Sequence, residues 1–173
     1  MSELHRNVVV VEFENGEYAN GIIGDGHIIT ANHVAQGARR VIVPQNGLHI
    51  DVSPSTFEHI MDPHLTDAQY PSDIARSFSS IGEVGFSHAG KATKGEAVTM
   101  VGFHGPKRRP FTIRGTVEGL EGRGYLAVSV DEGEQDLELG MSGIPVLRGD
   151  TVLGILHGDG GSRRRGLFMP TKR

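Results

Sequence analysis

Residues 8–30 read VVVVEFENGEYANGIIGDGHIIT and contain three short apolar runs separated by two glycine-containing turns. Four valines open the first run, and β-branched side chains are typical of strands. Asn15-Gly16 between two such runs is a strong hairpin signal, and Gly24-Asp25-Gly26 marks a second tight turn. The stretch therefore predicts three strands joined as consecutive hairpins, over Val8–Phe13, Tyr18–Ile23 and His27–Thr30.

The same pattern of short apolar runs and turns continues along the chain, and no long helical pattern interrupts it. Residues 31–35 have the composition of a single helical turn that ends at Gly37. Further strands are predicted over residues 41–44, 48–52, 97–103, 111–119, 125–130, 144–147, 151–157 and 166–169. Parallel pairing needs long crossovers, so short turns favour antiparallel strands. We therefore predict an all-β fold of two antiparallel six-stranded β-barrels, in which only residues 53–70 lack clear periodicity.

Glycine and small residues are concentrated between positions 82 and 94, which indicates a connector between two lobes. We expect an N-terminal β-barrel over residues 1–84, a connector over residues 85–94 and a C-terminal β-barrel over residues 95–173. A chain of 173 residues is long enough for two small lobes that share one hydrophobic interface.

Composition excludes several classes of protein. The chain contains no cysteine, which excludes a disulfide-stapled scaffold and a cysteine nucleophile. The apolar run that begins at Val8 is too short for a signal-peptide core or a membrane span, so we expect a cytoplasmic protein, in the host cytoplasm if it is viral. A formal net charge of −4 argues against a general nucleic-acid binder, although residues 107–109 and 163–165 form two basic clusters.

Candidate chemistry is carried by three short segments in the order His, Asp, Ser: ITANHV (29–34), SDIA (72–75) and GMSGIPV (140–146). A serine hydroxyl is a poor nucleophile at neutral pH and needs a neutral imidazole to accept its proton. A carboxylate must then orient the imidazole and stabilise its charged form. Glycines on both sides of Ser142 permit a tight backbone whose amides point one way. The three segments together predict nucleophilic catalysis by Ser142 with His33 and Asp73.

These segments resemble the T-A-x-H, D-[IV]-A and G-x-S-G-x-P motifs of the trypsin/chymotrypsin-like peptidases. The resemblance extends to residues 101–105, 115–117 and 152–155, and thus covers nearly the whole chain. It implies a serine endopeptidase that acts on protein or peptide substrates in a cleft between two barrels, with no cofactor and no metal. It also implies His33, Asp73 and Ser142 as the catalytic triad, and the amides of Gly140 and Ser142 as the oxyanion hole.

Met141 stands where secreted members of this family keep an aspartate that pairs with the activated N-terminus. Zymogen activation of that type is therefore not expected. This departure points to the intracellular relatives, such as viral polyprotein-processing proteases or bacterial peptidases of the same fold.

Three alternatives remain open. Asp62 or Asp67 could orient His33 in place of Asp73, although Ile74 and Ala75 favour Asp73 by continuing it into a buried strand. A metal site of His59, Asp62 and His64 matches no metal-binding spacing, and a solvated loop is the simpler interpretation. The alternative function is a non-catalytic or nucleic-acid-binding module on the same fold that uses the basic clusters at 107–109 and 163–165.

The resemblance places the P1 pocket between residues 136–139 and residues 155–158. Asp136 lies six residues before Ser142, where trypsin-like members keep an aspartate for basic side chains, so we expect a basic P1 residue. His157 is the other candidate, because viral relatives that cut after Gln or Glu place a histidine on this strand. In this sequence the histidine lies one residue later than in those relatives. Because the side chains of a strand alternate between two faces, Leu156 would then point into the pocket instead of His157, unless a bulge shifts the register. The predicted substrate-binding residues are Asp136, Leu137, Leu156 and His157. The alternative is that Asp136 and His157 are solvated residues of a loop or barrel end.

Overall fold

The computed structural model describes residues 2–60 and 72–172, which are almost entirely β-structure. The N-terminal strands are β1 (Val8–Phe13), β2 (Tyr18–Gly24), β3 (His27–Ala31), β4 (Ala38–Val43), β5 (Leu48–Asp51), β6 (Phe57–Ile60) and β7 (Ile74–Ser77). The C-terminal strands are β8 (Ala97–His104), β9 (Arg109–Gly122), β10 (Tyr125–Val130), β11 (Pro145–Arg148), β12 (Thr151–Ser162) and β13 (Arg165–Pro170). The helical parts of these residues are one α-helical turn, α1 (Asn32–Ala35), and two 3-10 turns (Glu3–Asn7 and Pro54–Thr56).

The N-terminal strands form an antiparallel half-barrel sheet in the order β5-β4-β1-β2-β3-β7-β6. Strand β1 is an interior strand between β4 and β2, and its four valines are all buried. Alternate side chains of a strand point to opposite faces, so β1 must be covered on both sides. One apolar cluster supplies that cover and includes Phe103 and Ile155 from the C-terminal half, so the two halves share an apolar core.

The C-terminal strands form a closed antiparallel barrel in the order β10-β13-β12-β11-β8-β9. Its interior is filled by large buried side chains, including Met100, Ile113 and Phe168. The predicted all-β fold of two packed barrels is confirmed, with seven strands rather than six in the N-terminal sheet. Strand β6 falls within residues 53–70, where the sequence shows no clear periodicity. Only Phe57 of its four residues is buried, so apolar and polar residues do not alternate there.

The topology brings three segments close together: helix α1, the residues just before β7, and the loop between β10 and β11. Helix α1 directly follows β3, and β3 pairs with β7 so that Ala31 lies opposite Ile74, next to Asp73. Ser142 lies in the loop between β10 and β11, where its carbonyl accepts a 2.9 Å hydrogen bond from the amide of Asn20 in β2. The predicted division of the chain into an N-terminal barrel over residues 1–84, a connector over residues 85–94 and a C-terminal barrel over residues 95–173 stays a prediction. None of the helices in the described ranges is long and apolar enough to cross a membrane.

Candidate active site

His33 and Asp73 are held together by both backbone and side-chain hydrogen bonds. The first residue of α1, Asn32, donates its amide to the Asp73 carbonyl at 2.9 Å. The His33 amide donates to Asp73 Oδ1 at 3.0 Å, and His33 Nδ1 lies 2.8 Å from Asp73 Oδ2. Pairing of β3 with β7 therefore fixes the carboxylate against the imidazole of the following helical turn.

The Asp73 carboxylate is buried and ionised. Burial by itself would raise the pKa of this carboxyl, but hydrogen bonds from His157 and His33 outweigh it and hold the pKa well below its usual range. A carboxylate can only accept hydrogen bonds, so both imidazoles must carry their proton on Nδ1. In the neutral tautomer of His33, Nε2 is then the free base, pointing away from Asp73.

His157 is the second imidazole on Asp73, a role that sequence reasoning did not assign to it. Its Nδ1 lies 2.5 Å from Asp73 Oδ2, the oxygen that also binds His33. Its ring packs edge-on against His33, with centroids 5.0 Å apart, and lies tilted by 40° against the ring of Tyr125, with centroids 4.7 Å apart. Burial and the charge of Asp73 raise the pKa of Tyr125 to about 12, so its phenol stays protonated beside this cluster. Over the described residues, His33, Asp73 and His157 are the three ligand-type side chains close enough together to hold a metal ion.

A shift in the register of β12 explains why the side chain of His157 points towards Asp73. Leu156 pairs with Phe168 and Gly158 with Leu167, so His157 is the extra residue of a β-bulge. A run of alternating residues in the sequence does not reveal where such a bulge falls.

Ser142 lies in a loop whose shape requires glycine. Gly140 and Gly143 have φ of +90° and +89°, which favour glycine, and a Cβ added at Gly143 would lie 1.8 Å from the Asn20 carbonyl oxygen. Ser142 Oγ donates to the carbonyl of His157 at 3.0 Å. His157 thus contacts His33 and Asp73 through its ring and Ser142 through its backbone.

The amides of this loop fall into two groups. Those of Met141, Gly143 and Ile144 donate to the carbonyls of Glu138, Leu156 and Met141. Among the five amides of residues 140–144, this leaves those of Gly140 and Ser142 for a ligand. These are the two amides that the resemblance names as the oxyanion hole.

Asn20 fixes the loop to both halves of the molecule, and sequence reasoning passed over it. Its side chain is fully buried and donates to the carbonyls of Phe103 at 3.0 Å and Gly140 at 2.9 Å. Its Oδ1 accepts the Phe103 amide at 2.9 Å, and its backbone carbonyl accepts the Thr30 hydroxyl at 2.7 Å. The available signal is an amide side chain within the otherwise apolar run of β2.

Two cavities meet at Ser142. The larger, of about 580 Å³, contains His33, Gly140 and Ser142 in its wall. The smaller, of about 270 Å³, is lined by Leu137, Glu138, Leu139, Gly140, Ser142, Leu156, Gly158, Asp159 and Arg163.

Of the four predicted substrate-binding residues, Leu137 and Leu156 line the smaller cavity, and Asp136 and His157 do not. Asp136 is exposed, and its carboxylate pairs with Arg164 at 3.1 Å. The side chain of His157 is turned to Asp73 instead. Neither side chain therefore lies in the wall of the smaller cavity, and the roles of Asp136 and His157 in substrate binding stay predictions.

Carboxylates already neutralise part of the basic cluster at 163–165. Arg164 pairs with Asp136, and Arg165 pairs with Glu118 and Glu121. Arg163 belongs to the smaller cavity instead. These arginines therefore do not form one continuous basic surface.

Parts of two alternatives lie outside the described residues. Asp62, His64 and Asp67 all fall within 61–71. His59 of the alternative metal site is described, and its Nε2 lies 2.5 Å from the Ser72 carbonyl. The imidazole of His59 therefore contacts the residue that directly precedes Asp73.

This arrangement of a closed barrel, a half-barrel and a His–Asp pair facing a serine loop is the trypsin/chymotrypsin-like peptidase fold. The serine protease of a human pathogenic astrovirus superposes with a TM-score of 0.64 at 16% identity, over 98% of this chain and 91% of that one. Tobacco etch virus protease in complex with product superposes with a TM-score of 0.70 at 11% identity, over 98% of this chain and 74% of that one.

An inactivated protease paralogue of the scabies mite has the same fold, with a TM-score of 0.69 at 14% identity over 97% of this chain and 90% of that one. No family model matches the chain, and no curated protein matches it in sequence. Since active and inactivated proteins share the fold, activity has to be argued from the site.

Proposed function

We propose that this protein is a serine endopeptidase with His33, Asp73 and Ser142 as its catalytic triad. The observation that carries the proposal is the buried, ionised Asp73 hydrogen-bonded to His33, which shares a cavity wall with Ser142. The three residues come from three separate segments of the chain, and each has a chemical type that acyl transfer requires.

In the first half of the reaction, Ser142 Oγ turns from the His157 carbonyl towards His33. His33 Nε2 takes the hydroxyl proton while Oγ attacks the scissile carbonyl carbon. The amides of Gly140 and Ser142 donate to the oxyanion that forms. His33 then gives the proton to the leaving amine, the C–N bond breaks, and an ester on Ser142 remains.

In the second half, His33 removes a proton from water, which attacks the ester carbonyl. The second tetrahedral intermediate collapses, the C–Oγ bond breaks, and the proton returns to Ser142. Asp73 keeps its charge throughout and stabilises the imidazolium that forms twice in each turnover. Acid is expected to stop the reaction, because protonated His33 cannot accept the serine proton.

The test combines active-site labelling with turnover of a peptide library. We expect a fluorophosphonate probe to label the wild-type protein and the Ser87→Ala control, an exposed serine outside the cleft, but not Ser142→Ala. Ser142→Ala and His33→Ala should each lower kcat by about 10⁴-fold or more. Labelling of Ser142→Ala, or a tenth of wild-type activity in either variant, would reject the assignment.

Nucleic-acid binding is not proposed as the primary function, because in one of the two basic clusters Arg164 and Arg165 are paired with carboxylates. Polyprotein processing, a viral source and a cytoplasmic location stay predictions from the sequence. The peptide library addresses the first of these directly, since it reports which sequences are cleaved.

A further inference from the structure

The larger cavity at Ser142 contains His33 in its wall, and the smaller cavity does not. Both contain Ser142 and Gly140, so they adjoin at the nucleophile. In the proposed mechanism His33 donates a proton to the leaving amine, which must therefore lie within reach of His33. The chain that follows the scissile bond is thus expected to leave over the larger cavity, which we call the leaving-group cavity.

The leaving-group cavity is mainly apolar. Phe13 and Tyr18 contribute from the N-terminal sheet, and Phe103 and Pro106 contribute from the C-terminal barrel. Its volume of about 580 Å³ is roughly twice the 270 Å³ of the smaller cavity. Concave, apolar sites of this size with a few polar groups are typical of specific ligand binding.

One acidic side chain belongs to the wall of this cavity. Glu17 is exposed and belongs to the wall. The imidazole of His104 also belongs to the wall, and its Nε2 lies 3.2 Å from a carboxylate oxygen of Glu138. An acidic side chain on the leaving group would meet the Glu17 carboxylate at close range and be disfavoured.

We propose that the protein selects its substrates by a large apolar residue, such as Phe, Tyr or Leu, directly after the scissile bond, and rejects acidic residues there. This inference rests on the proposed function, because the side of the cavity is assigned from the proton that His33 delivers. An aromatic side chain seated between Phe13, Tyr18 and Phe103 removes apolar surface of both partners from water, which supplies the selectivity.

Acyl transfer to added amines tests the leaving-group side separately from the acyl side. The enzyme is first acylated by a peptide ester, which leaves an ester on Ser142. An amino-acid amide then competes with water: its nitrogen attacks the ester carbonyl, the C–Oγ bond breaks, and the proton lost by nitrogen passes through His33 to Ser142 Oγ. The ratio of aminolysis to hydrolysis measures how well each amide binds in the leaving-group cavity.

For the wild-type protein we expect phenylalanine amide and leucine amide to give a ratio about tenfold higher than glycine amide. Aspartic acid amide should fall below glycine amide. The dipeptide amides Phe-Gly and Gly-Phe, compared in the same assay, report which of the first two leaving-group residues the cavity binds. The inference requires Phe-Gly to be the better nucleophile.

Variants of the cavity wall provide the matched comparison. Tyr18→Ala and Phe13→Ala should each lower the preference for phenylalanine amide over glycine amide about fivefold or more. Phe78→Ala removes an exposed phenylalanine that lies in a different groove, and it should keep the preference. Glu17→Lys should raise aspartic acid amide above glycine amide. Circular dichroism establishes that each variant is folded.

The two proposals fail in different ways. Ester hydrolysis that proceeds with equal ratios for glycine and phenylalanine amides overturns the inference and leaves the peptidase proposal standing. A preference that survives unchanged in every folded Tyr18 or Phe13 variant also overturns it. Absence of any Ser142-dependent ester hydrolysis overturns the proposed function, and the inference falls with it.

Discussion

Asp73 accepts hydrogen bonds from two imidazoles and one backbone amide, so its charge is central to the site. Replacement by asparagine puts an amide where only an acceptor fits, which forces His33 towards the wrong tautomer. We expect Asp73→Asn to lower kcat by about 10⁴-fold. Steady-state kinetics on a peptide found in the library provide the measurement.

Asp150→Asn is the matched control for Asp73→Asn, because Asp150 is exposed and lies outside both cavities. It should keep near wild-type kinetics. Loss of activity in Asp67→Asn, together with an active Asp73→Asn, would show that another carboxylate orients His33.

His157 is expected to act as a positioning residue through its hydrogen bond to Asp73. His157→Leu removes the donor and should lower kcat about ten- to a hundredfold with KM little changed, as for a lost hydrogen bond to a charged group. His157→Asn carries an amide N–H near the place of Nδ1 and should recover much of the loss. If Leu and Asn variants have the same kcat, the ring only fills space and its N–H does not matter.

At the scale of the loop between β10 and β11, Gly143 combines a positive φ with a close approach to the Asn20 carbonyl. Gly133 has a similar φ of +86° but nothing within 4 Å of an added Cβ. Alanine at Gly133 should therefore cost only the backbone strain, about 1 to 2 kcal/mol. Gly143→Ala should cost more and also abolish activity, since the loop must move away from Asn20.

Urea unfolding of the two glycine variants, with kcat for each, separates strain from contact. Equal losses in Gly143→Ala and Gly133→Ala would mean that the loop yields to the added methyl group. The contact with Asn20 would then have no part in holding Ser142.

At the scale of the whole molecule, the two sheets share an apolar core, and the cleft lies where they meet. Phe103 of β8 packs into the same cluster as the valines of β1. Asn20 ties the two halves at the same place through the backbone of Phe103 and Gly140. The geometry of the site therefore depends on the packing of one half against the other.

Acid should destabilise the folded protein in part through Asp73. Its pKa in the fold lies below that of an unfolded aspartate, about 3.9, so the stabilisation is present above that pH and is lost as pH falls towards the folded pKa. We expect the unfolding free energy of Asp73→Asn to fall less than that of wild type between about pH 5 and 2. Urea titrations at several pH values measure the unfolding free energy of both proteins. Parallel plots of that free energy against pH would contradict this role of Asp73.

The sequence by itself determined the strand class, most of the turns and the residues proposed for the triad. These features are local: β-branched runs, Asn-Gly and Asp-Gly turns, and a serine between two glycines have their conformational preferences within a few residues. Strand β6 was not predicted from the sequence. Only one of its four residues is buried, so apolar and polar residues do not alternate along it.

Only the tertiary structure decided that His157 contacts Asp73, that Asn20 holds the loop of Ser142, and that Asp136 lies outside both cavities at Ser142. His157 and Asp73 are 84 positions apart, and Asn20 and Gly140 are 120 apart. A bulge in β12 turns His157 towards Asp73, and the packing of one half on the other brings Asn20 to the loop. Such pairings depend on strand register and on contacts between distant segments, which the local preferences of single residues do not specify.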